Sequence, residues 1–373
     1  MVALLAFCLA IAQPTVDDAV LLRVGLTRLN LRDQAVVFAP GAWTARNGES
    51  NAELAVLRGQ TTIQSKAGDW VIDGKAVSAN SISIDAISLK IGARDTDLRE
   101  YRGAVYLTQS NGRILAVNWL TLGDYLRSAL PSEMPSNFPE EALKAQCVAA
   151  RSYALNRINR HRGEGYDLCD AEHCQLYLGV SMEKIQTTEV VRKTAGEVAA
   201  HNGKPIEAVY CTDCGGHTAD VVQAGVGVTP TAYLVGSPDW SSTGERFCAG
   251  SPRSGWDARI EQRAVDQKFG FPVERLQVIE RTEGGHAIRI EATGGGKRAV
   301  MIGADFRRAF GLAQIKNLMF ALQRERDGWS VRGRGSGHGV GLCQWGAAGR
   351  ARAGQSYREI LSAYYPGSKV ERR

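Results

Sequence analysis

The sequence contains no long stretch of a single residue type and no repeat at the spacing of solenoids or propellers. Charged residues make up 23% of the chain and hydrophobic residues 44%, which argues against a disordered chain and against a coiled coil. The 373 residues are enough for one large domain, or for a main domain that carries a smaller one. We therefore expect a globular protein.

The sequence also lacks a helix-turn-helix, a zinc-finger pattern and an aromatic-basic stacking motif. Its net charge is +6, and the basic residues are spread along the chain with a modest cluster at 151–162. This charge favours an anionic partner only weakly, and nucleic acid, acidic membranes and wall polymers would all qualify. Because no recognition motif is present, we expect no nucleic-acid partner.

The start of the chain carries a short apolar run at residues 2–12, followed by Gln13 and Pro14. Eleven residues are too few to cross a bilayer, but they fit the apolar region and the small-x-small cleavage site of a signal peptide. The alternative is a buried N-terminal strand. We expect residues 1–12 to be a signal peptide and the protein to be exported to the cell envelope, either periplasmic or extracellular.

Removal of this segment would leave seven cysteines, which is an odd number. In an oxidising compartment at least one of them must then be free, bound to metal or joined to another chain. Cys211 and Cys214 form a Cys-x-x-Cys pair without a thioredoxin-like context. We expect a structural disulfide between this region and a distant cysteine.

The spacing of apolar residues divides the chain into two parts. Residues 18–112 are predicted to form short strands separated by turns, and the alternation at 81–87 is the clearest period-two pattern. Beyond about residue 120, apolar residues spaced by three or four predict a helix from 139 to about 160. Further helices are expected at 189–197 and 356–364, with strands at 205–211 and 287–292. We therefore predict an α+β fold, with a β-rich part at 18–112 and a mixed core at 113–370.

Two motifs carry a resemblance to a known family. The first comprises Ser132, Glu133, Met134 and Pro135, followed by the helix sequence at 139–155. The second comprises residues 337–347, from Gly337-His338-Gly339 to Gly346-Ala347, and the closing Tyr364-Tyr365-Pro366-Gly367. Together with Tyr101-Arg102-Gly103 they resemble the SpoIID/LytB family over residues 22–370. Ser336 departs from the family, which often has an aromatic residue there, so a stacking role for this position has no support.

The resemblance implies one of two activities. SpoIID-type members are lytic transglycosylases that cut peptidoglycan glycan strands stripped of their stem peptides. LytB-type members are described as enhancers of a separate wall amidase, an N-acetylmuramoyl-L-alanine amidase. We favour the transglycosylase and keep the non-catalytic enhancer or recruiter as the alternative.

The resemblance also assigns Glu133 as the catalytic acid and base. Ordinary glycosidases use two carboxylates, whereas a lytic transglycosylase can work with one, because the C6 hydroxyl of the muramic residue attacks its own anomeric carbon. A general acid must be protonated at the working pH, which requires burial of the Glu133 carboxyl among apolar groups. The alternative is a solvated or helix-capping glutamate in a turn.

The remaining candidates for substrate contact come from the same two motifs. Arg151 is expected to bind a lactyl carboxylate or sugar oxygens through its forked donors, with hydroxyl contacts from Ser152 and Tyr153. His338 and Gln344 have side chains suited to sugar hydroxyls. Surface or purely structural roles are the alternatives for all five residues.

A compact set of zinc-ligand types lies at 161–174 and consists of His161, Cys169, His173 and Cys174. Some SpoIID members are described as holding zinc with two histidines and two cysteines in this loop. By resemblance we expect a structural zinc ion with four protein ligands, and no organic cofactor. The alternative is a disulfide between Cys169 and Cys174. A zinc hydrolase would need an open metal position.

Overall fold

The computed structural model describes residues 16–66, 68–86, 88–110, 112–227 and 229–373. The expected signal peptide at 1–12 lies outside the described residues. Among the described residues, no helix has both the length and the apolar character needed to span a membrane.

The first third of the chain forms most of one large sheet. Its consecutive strands are β1 (Leu21–Gly25), β2 (Gln34–Asn47), β3 (Glu53–Lys66), β4 (Asp69–Ile72), β5 (Lys75–Val77), β6 (Ser81–Asp85), β7 (Leu89–Gly92), β8 (Arg99–Tyr101), β9 (Ala104–Ser110) and β10 (Arg113–Thr121). Wherever strands β1 to β10 pair with one another, the pairing is antiparallel. A later strand, β11 (Leu168–Cys169), pairs with β1 in parallel. The strands expected to be short include two long ones, β2 and β3, of 14 residues each.

Alternating side chains explain why this sheet forms and where its core lies. In β1, Leu22 and Val24 are buried and Leu22 pairs with Leu120 of β10. Asp73 and Gly74 both have positive φ, which is the backbone that a two-residue hairpin between β4 and β5 requires. The boundary predicted between the β-rich part and the mixed core, at 112–113, falls in the turn between β9 and β10. The sheet itself continues beyond it to Thr121.

Eight helices lie in the part of the chain that the structure describes. They are α1 (Leu122–Glu133), α2 (Glu140–Asn156), α3 (Ile185–Lys193), α4 (Val221–Ala224), α5 (Gln262–Phe269), α6 (Gly303–Phe310), α7 (Gln344–Arg352) and α8 (Tyr357–Tyr364). Five 3-10 helices are Val16–Ala19, Thr27–Leu29, Asp95–Asp97, Arg162–Glu164 and Val180–Met182. The helix predicted at 139–160 is therefore confirmed as α2 but ends earlier, and the helix expected at 189–197 lies four residues earlier as α3.

Short strands alternate with these helices. They are β12 (Glu197–His201), β13 (Lys204–Pro205), β14 (Tyr210–Cys211), β15 (Gly255–Glu261), β16 (Arg275–Arg281), β17 (Ala287–Gly294), β18 (Lys297–Ile302), β19 (Phe320–Glu325), β20 (Gly328–Arg334), β21 (Leu342–Cys343) and β22 (Lys369–Arg372). They form four small sheets with the orders β13-β12-β22, β14-β21, β15-β20-β19 and β16-β17-β18. The single strand predicted at 205–211 is wrong, because β13 and β14 belong to different sheets. The mixture of sheets and helices confirms the α+β class.

Helix α2 is the centre of the core. It packs against α1, α3, α7, α8 and β12, so that its buried residues lie on nearly every side. Helix α1 follows β10 directly, and the Thr121 hydroxyl caps it by accepting the Asp124 N–H at 3.2 Å. The two family motifs, which begin α2 and α7, are thereby brought together.

Candidate functional site

Glu133 is the last residue of α1 and not a residue of a turn, as the sequence had suggested. The C-terminal end of a helix carries the negative end of the helix dipole, which disfavours a charged carboxylate. Met134, which follows the helix as its C-cap, is buried and packs in the hydrophobic core.

The Glu133 side chain is half-buried and has two hydrogen-bond partners without charge. Its Oε1 accepts the main-chain N–H of Leu176 at 2.5 Å, and the hydroxyl of Tyr210 also donates to it. Burial raises the pKa of Glu133 to about 6, these two hydrogen bonds oppose the rise, and the nearby Glu172 carboxylate adds to it. The group can therefore be protonated under mildly acidic conditions.

Glu133 opens into a pocket of about 290 Å³ that is lined mainly by polar side chains. The lining residues are Glu133, Tyr153, Arg157, Arg160, Glu172, His173, Cys174, Glu207, Val209, Tyr210, Val226, Gly227 and His338. Arg157 pairs with Glu207, and Arg160 donates to the Tyr153 hydroxyl at 2.6 Å. Hydrogen-bond donors and acceptors, including positively and negatively charged side chains, thus line the same pocket. Such a lining suits a ligand with many hydroxyl groups.

The glycine-rich motif after β20 places His338 in this pocket. Gly341 makes the close approach possible: its φ is 68°, and a Cβ atom there would collide with the carbonyl oxygen of Val209. Nδ1 of His338 accepts the N–H of Val340 at 3.0 Å, so the neutral ring carries its hydrogen on Nε2. Burial and the nearby Arg307 lower the pKa of His338 to about 4, which keeps the ring neutral near pH 7.

Arg151 and Ser152 lie away from the pocket, which contradicts the substrate contacts expected of them. Arg151 is 0% exposed, and its guanidinium donates to Asp18 Oδ1 at 2.8 Å and to the Glu197 carbonyl at 3.1 Å. The Ser152 hydroxyl donates to the Val148 carbonyl at 2.6 Å and accepts the N–H of Ala199 at 2.8 Å. Both side chains join α2 to its neighbours.

The other two candidates lie close to Glu133 in different ways. Tyr153 lines the pocket. Gln344 does not line it: its Nε2 donates to the main-chain oxygen of Glu133 at 3.0 Å, so it holds the end of α1. Sequence reasoning missed Tyr210, Arg157 and Arg160 as pocket residues. No pattern singles them out, because Tyr210 reaches Glu133 only through the pairing of β14 with β21.

His161, Cys169, His173 and Cys174 converge beside the same pocket, with their ligand atoms within 4.8 Å of one another. Nε2 of His161 lies 3.4 Å from the Cys174 sulfur, and Nδ1 of His173 lies 3.8 Å from both sulfurs. Zinc bonds of about 2.3 Å to sulfur and 2.0–2.1 Å to nitrogen place tetrahedral ligand atoms about 3.3–3.8 Å apart. The four side chains therefore fit a tetrahedral zinc ion.

The hydrogen-bond partners of the two histidine rings decide which ring nitrogens are free to bind a metal. Nδ1 of His161 lies 2.6 Å from Glu164, which leaves Nε2 free for a metal, as in carboxylate–histidine–metal arrangements. Nε2 of His173 lies 3.0 Å from the Arg160 guanidinium. A metal on Nδ1 would leave a hydrogen on Nε2, so Arg160 would have to move away from this ring.

Two family models and several known proteins match this chain. A family model described as Stage II sporulation protein, SpoIID, matches residues 110–201, and a domain of unknown function matches residues 257–341. An uncharacterised protein of Brachyspira hyodysenteriae is 30% identical over 277 residues, which cover 73% of this chain and 72% of that protein.

Two relatives from Bacillus subtilis have descriptive names. Stage II sporulation protein D is 25% identical over 80% of this chain and 87% of its own length. A protein named amidase enhancer is 27% identical over 66% of this chain, but the match spans only 40% of the enhancer. The SpoIID model spans the motif at 132–155, and the matches to the Brachyspira protein and to Stage II sporulation protein D cover 73% and 80% of this chain. This chain belongs to the SpoIID family.

Proposed function

We propose that the protein is a lytic transglycosylase that cleaves denuded peptidoglycan glycan strands, with Glu133 as its single acid and base. The observation that carries the proposal is the Glu133 carboxyl, whose burial in the wall of a polar pocket raises its pKa to about 6. This value lies in the range that allows one group to give a proton and take one back.

In the proposed reaction, protonated Glu133 gives its proton to the glycosidic oxygen as the bond from that oxygen to the muramic C1 breaks. The C6 hydroxyl of the same sugar then attacks C1, and the Glu133 carboxylate takes its proton. A 1,6-anhydro ring forms, no water is consumed, and the carboxyl ends protonated as it began. Because the attacking group belongs to the substrate, positioning replaces a second catalytic carboxylate.

The other pocket residues would position the sugars. Neutral His338 and Tyr153 can hydrogen-bond hydroxyl groups, and Arg160 supplies a cation for a carboxylate such as the lactyl group of muramic acid. Gln344 and Leu176 would act as positioning residues, because they fix the main chain and the carboxyl of Glu133.

We also propose that His161, Cys169, His173 and Cys174 hold a structural zinc ion. Four protein ligands leave no open coordination position, so this ion would not activate water, and a zinc hydrolase is disfavoured. It would brace the loop that continues from Cys174 to Leu176, whose N–H meets Glu133. Zinc content should fall by one ion per chain in Cys169→Ser/Cys174→Ser, measured by native mass spectrometry.

The test of the function is the mass of the products from denuded glycan strands incubated with purified wild-type protein. A transglycosylase yields chains with 1,6-anhydro-muramic ends, which are lighter than hydrolysis products by one water. Hydrolysed reducing ends would instead mean that a water molecule attacks, and would contradict the proposal.

The second candidate is a non-catalytic enhancer of a wall amidase, which the similarity to the B. subtilis amidase enhancer favours. In that case the glycan strands stay intact, while added protein raises the rate at which an N-acetylmuramoyl-L-alanine amidase digests walls. Either function places the protein at the cell envelope, where its substrate or partner lies.

A further inference from the structure

A second cluster of metal-ligand side chains lies apart from the histidine-containing one. It consists of Asp213, Cys214, Cys248 and Cys343, which offer one carboxylate oxygen and three sulfurs within 4.8 Å of one another. All four residues are fully buried. We propose that they bind a second zinc ion, which joins the segments that precede and follow residues 255–334. This inference does not depend on the proposed enzymatic activity.

The ligands come from three segments that are distant in sequence. Asp213 and Cys214 follow β14, Cys248 lies in the loop before β15, and Cys343 ends β21. Strands β14 and β21 pair in parallel, so that the two outer segments already meet. In sequence, Cys248 thus precedes residues 255–334 and Cys343 follows them.

Two main-chain N–H groups point at the sulfur of Cys343. It accepts the main-chain N–H groups of Cys214 and Gly346, each at 3.2 Å. Gly346 lies in the first turn of α7, a helix of nine residues, so the positive end of its dipole points at this sulfur. Such surroundings stabilise a negatively charged sulfur, which is the form that binds metal.

The Asp213 carboxylate lacks a partner on one side. Its Oδ1 accepts the N–H of Gly215 at 2.8 Å, whereas Oδ2 is buried and has no hydrogen-bond partner among the described residues. A buried carboxylate oxygen left without a partner is costly, so such an atom calls for a cation or a donor. A zinc ion among the three sulfurs would supply that cation.

A disulfide explains the cluster less well than a metal ion. A disulfide can join two of the three cysteines, and it would leave the third sulfur and Asp213 Oδ2 without a partner. One tetrahedral ion uses all four ligand groups, and three thiolates with a carboxylate favour zinc among the common metals. The structure contains no disulfide among Cys147, Cys169, Cys174, Cys211, Cys214, Cys248 and Cys343.

A cation from the neighbouring helix α7 lies close to the cluster. The Cys214 sulfur lies 3.3 Å from Oδ2 of Asp239, which would repel a thiolate. Asp239 is held by the buried Arg350, whose Nε donates to it at 3.0 Å, and by the Tyr364 hydroxyl at 2.8 Å. The guanidinium therefore offsets part of the negative charge that the ligands bring.

The position of the cluster links it to the Glu133 pocket. Cys343 immediately precedes Gln344, which holds the main-chain oxygen of Glu133, and β14 contains Tyr210, which contacts the Glu133 carboxyl. The second zinc ion would therefore fix the start of α7 and the end of β14, which both contact Glu133. It would be a positioning element, since four protein ligands leave no open position.

The test is the zinc stoichiometry of the reduced full chain, measured by native mass spectrometry after equilibration with zinc. We expect Cys248→Ser to bind one zinc ion fewer than wild type, and Cys169→Ser/Cys174→Ser to lose a different one. Cys147→Ser is the matched control, because Cys147 is buried outside both clusters and should leave the count unchanged. A zinc count that is the same in wild type and Cys248→Ser would overturn the proposal.

Two further measurements do not depend on the folding of Cys248→Ser. Asp213→Asn keeps the shape of the side chain and should give up one zinc ion to a lower concentration of chelator than wild type does. Anomalous diffraction at the zinc edge from wild-type crystals should show a peak among Asp213, Cys214, Cys248 and Cys343. A map without that peak, or a disulfide between two of these cysteines found by peptide mapping of the zinc-treated protein, contradicts the second site.

Discussion

The region around Arg151 and the region around Glu133 lie on the packed helices α2 and α1, but they accommodate a charged side chain in opposite ways. Arg151 is enclosed completely, and its donors meet Asp18, Thr194 and the carbonyls of Val191 and Glu197. Glu133 is held by neutral donors and opens into a pocket. Burial with a counter-charge makes a structural ion pair, whereas burial without one makes a carboxyl with a raised pKa.

Replacing Arg151 should give the largest change in stability. Arg151→Met leaves the Asp18 carboxylate and two buried carbonyls without their partner, so we expect a loss of roughly 3–5 kcal/mol in the free energy of unfolding. The measurement is urea denaturation, with Arg113→Met as a control at an exposed position outside the pocket. If Arg151→Met kept its stability but lost glycan binding, Arg151 would be a substrate ligand and not part of a structural ion pair.

Removing the charge of Glu133 should raise the free energy of unfolding, whereas replacing Arg151 should lower it. The raised pKa means that the folded protein holds the proton more tightly, so the cost of burying the charge is absent below pH 4.5 and is fully present above about pH 6. Glu133→Gln should therefore be more stable than wild type at pH 7, by roughly 1–2 kcal/mol for a shift of about 1.5 pH units. Urea denaturation at pH 7 and pH 4 tests this, and an equal difference at both values would contradict it.

The same pKa predicts the pH dependence of cleavage. Because the acid must be protonated, the rate should fall by about tenfold for each pH unit above about 6. His338 stays neutral through this range, since its pKa is about 4. A rate measured from pH 4 to 8 that rose toward high pH would show that another group is the acid.

The smallest effect is expected at Glu172, which is exposed in the same pocket and raises the pKa of Glu133. Glu172→Gln should lower that pKa and shift the falling limb of the pH profile to lower pH. An exposed charge contributes roughly 0.2–1 kcal/mol, so we expect a change in rate of less than about fivefold at pH 7. A loss as large as that of Glu133→Gln would make Glu172 a second catalytic carboxylate.

The sequence predicted only part of the fold and of the candidate site. The α+β class and the position of α2 followed from apolar spacing, and Glu133 and His338 followed from motifs that resemble a family. The burial of Arg151 could not be predicted in this way, because it follows from the packing of α2 against other elements on nearly every side.

Other features could not be predicted because they depend on contacts between distant segments. Tyr210 reaches Glu133 through a pair of two-residue strands, and such strands give no period-two signal. Cys248 and Cys343 are widely separated from Cys214, so no ligand spacing marks their cluster. The His161–Cys174 cluster was visible because all four side chains lie in one loop.

The most direct test of the central claim is the cleavage rate of denuded glycan by wild type, Glu133→Gln and Glu172→Gln, measured as 1,6-anhydro-muramic ends by mass spectrometry. Loss of the general acid should lower the rate of Glu133→Gln by roughly 10²–10⁴-fold while the protein stays folded, and Glu172→Gln should retain most of its activity. Cleavage by Glu133→Gln at the wild-type rate would show that Glu133 is not the catalytic acid and base.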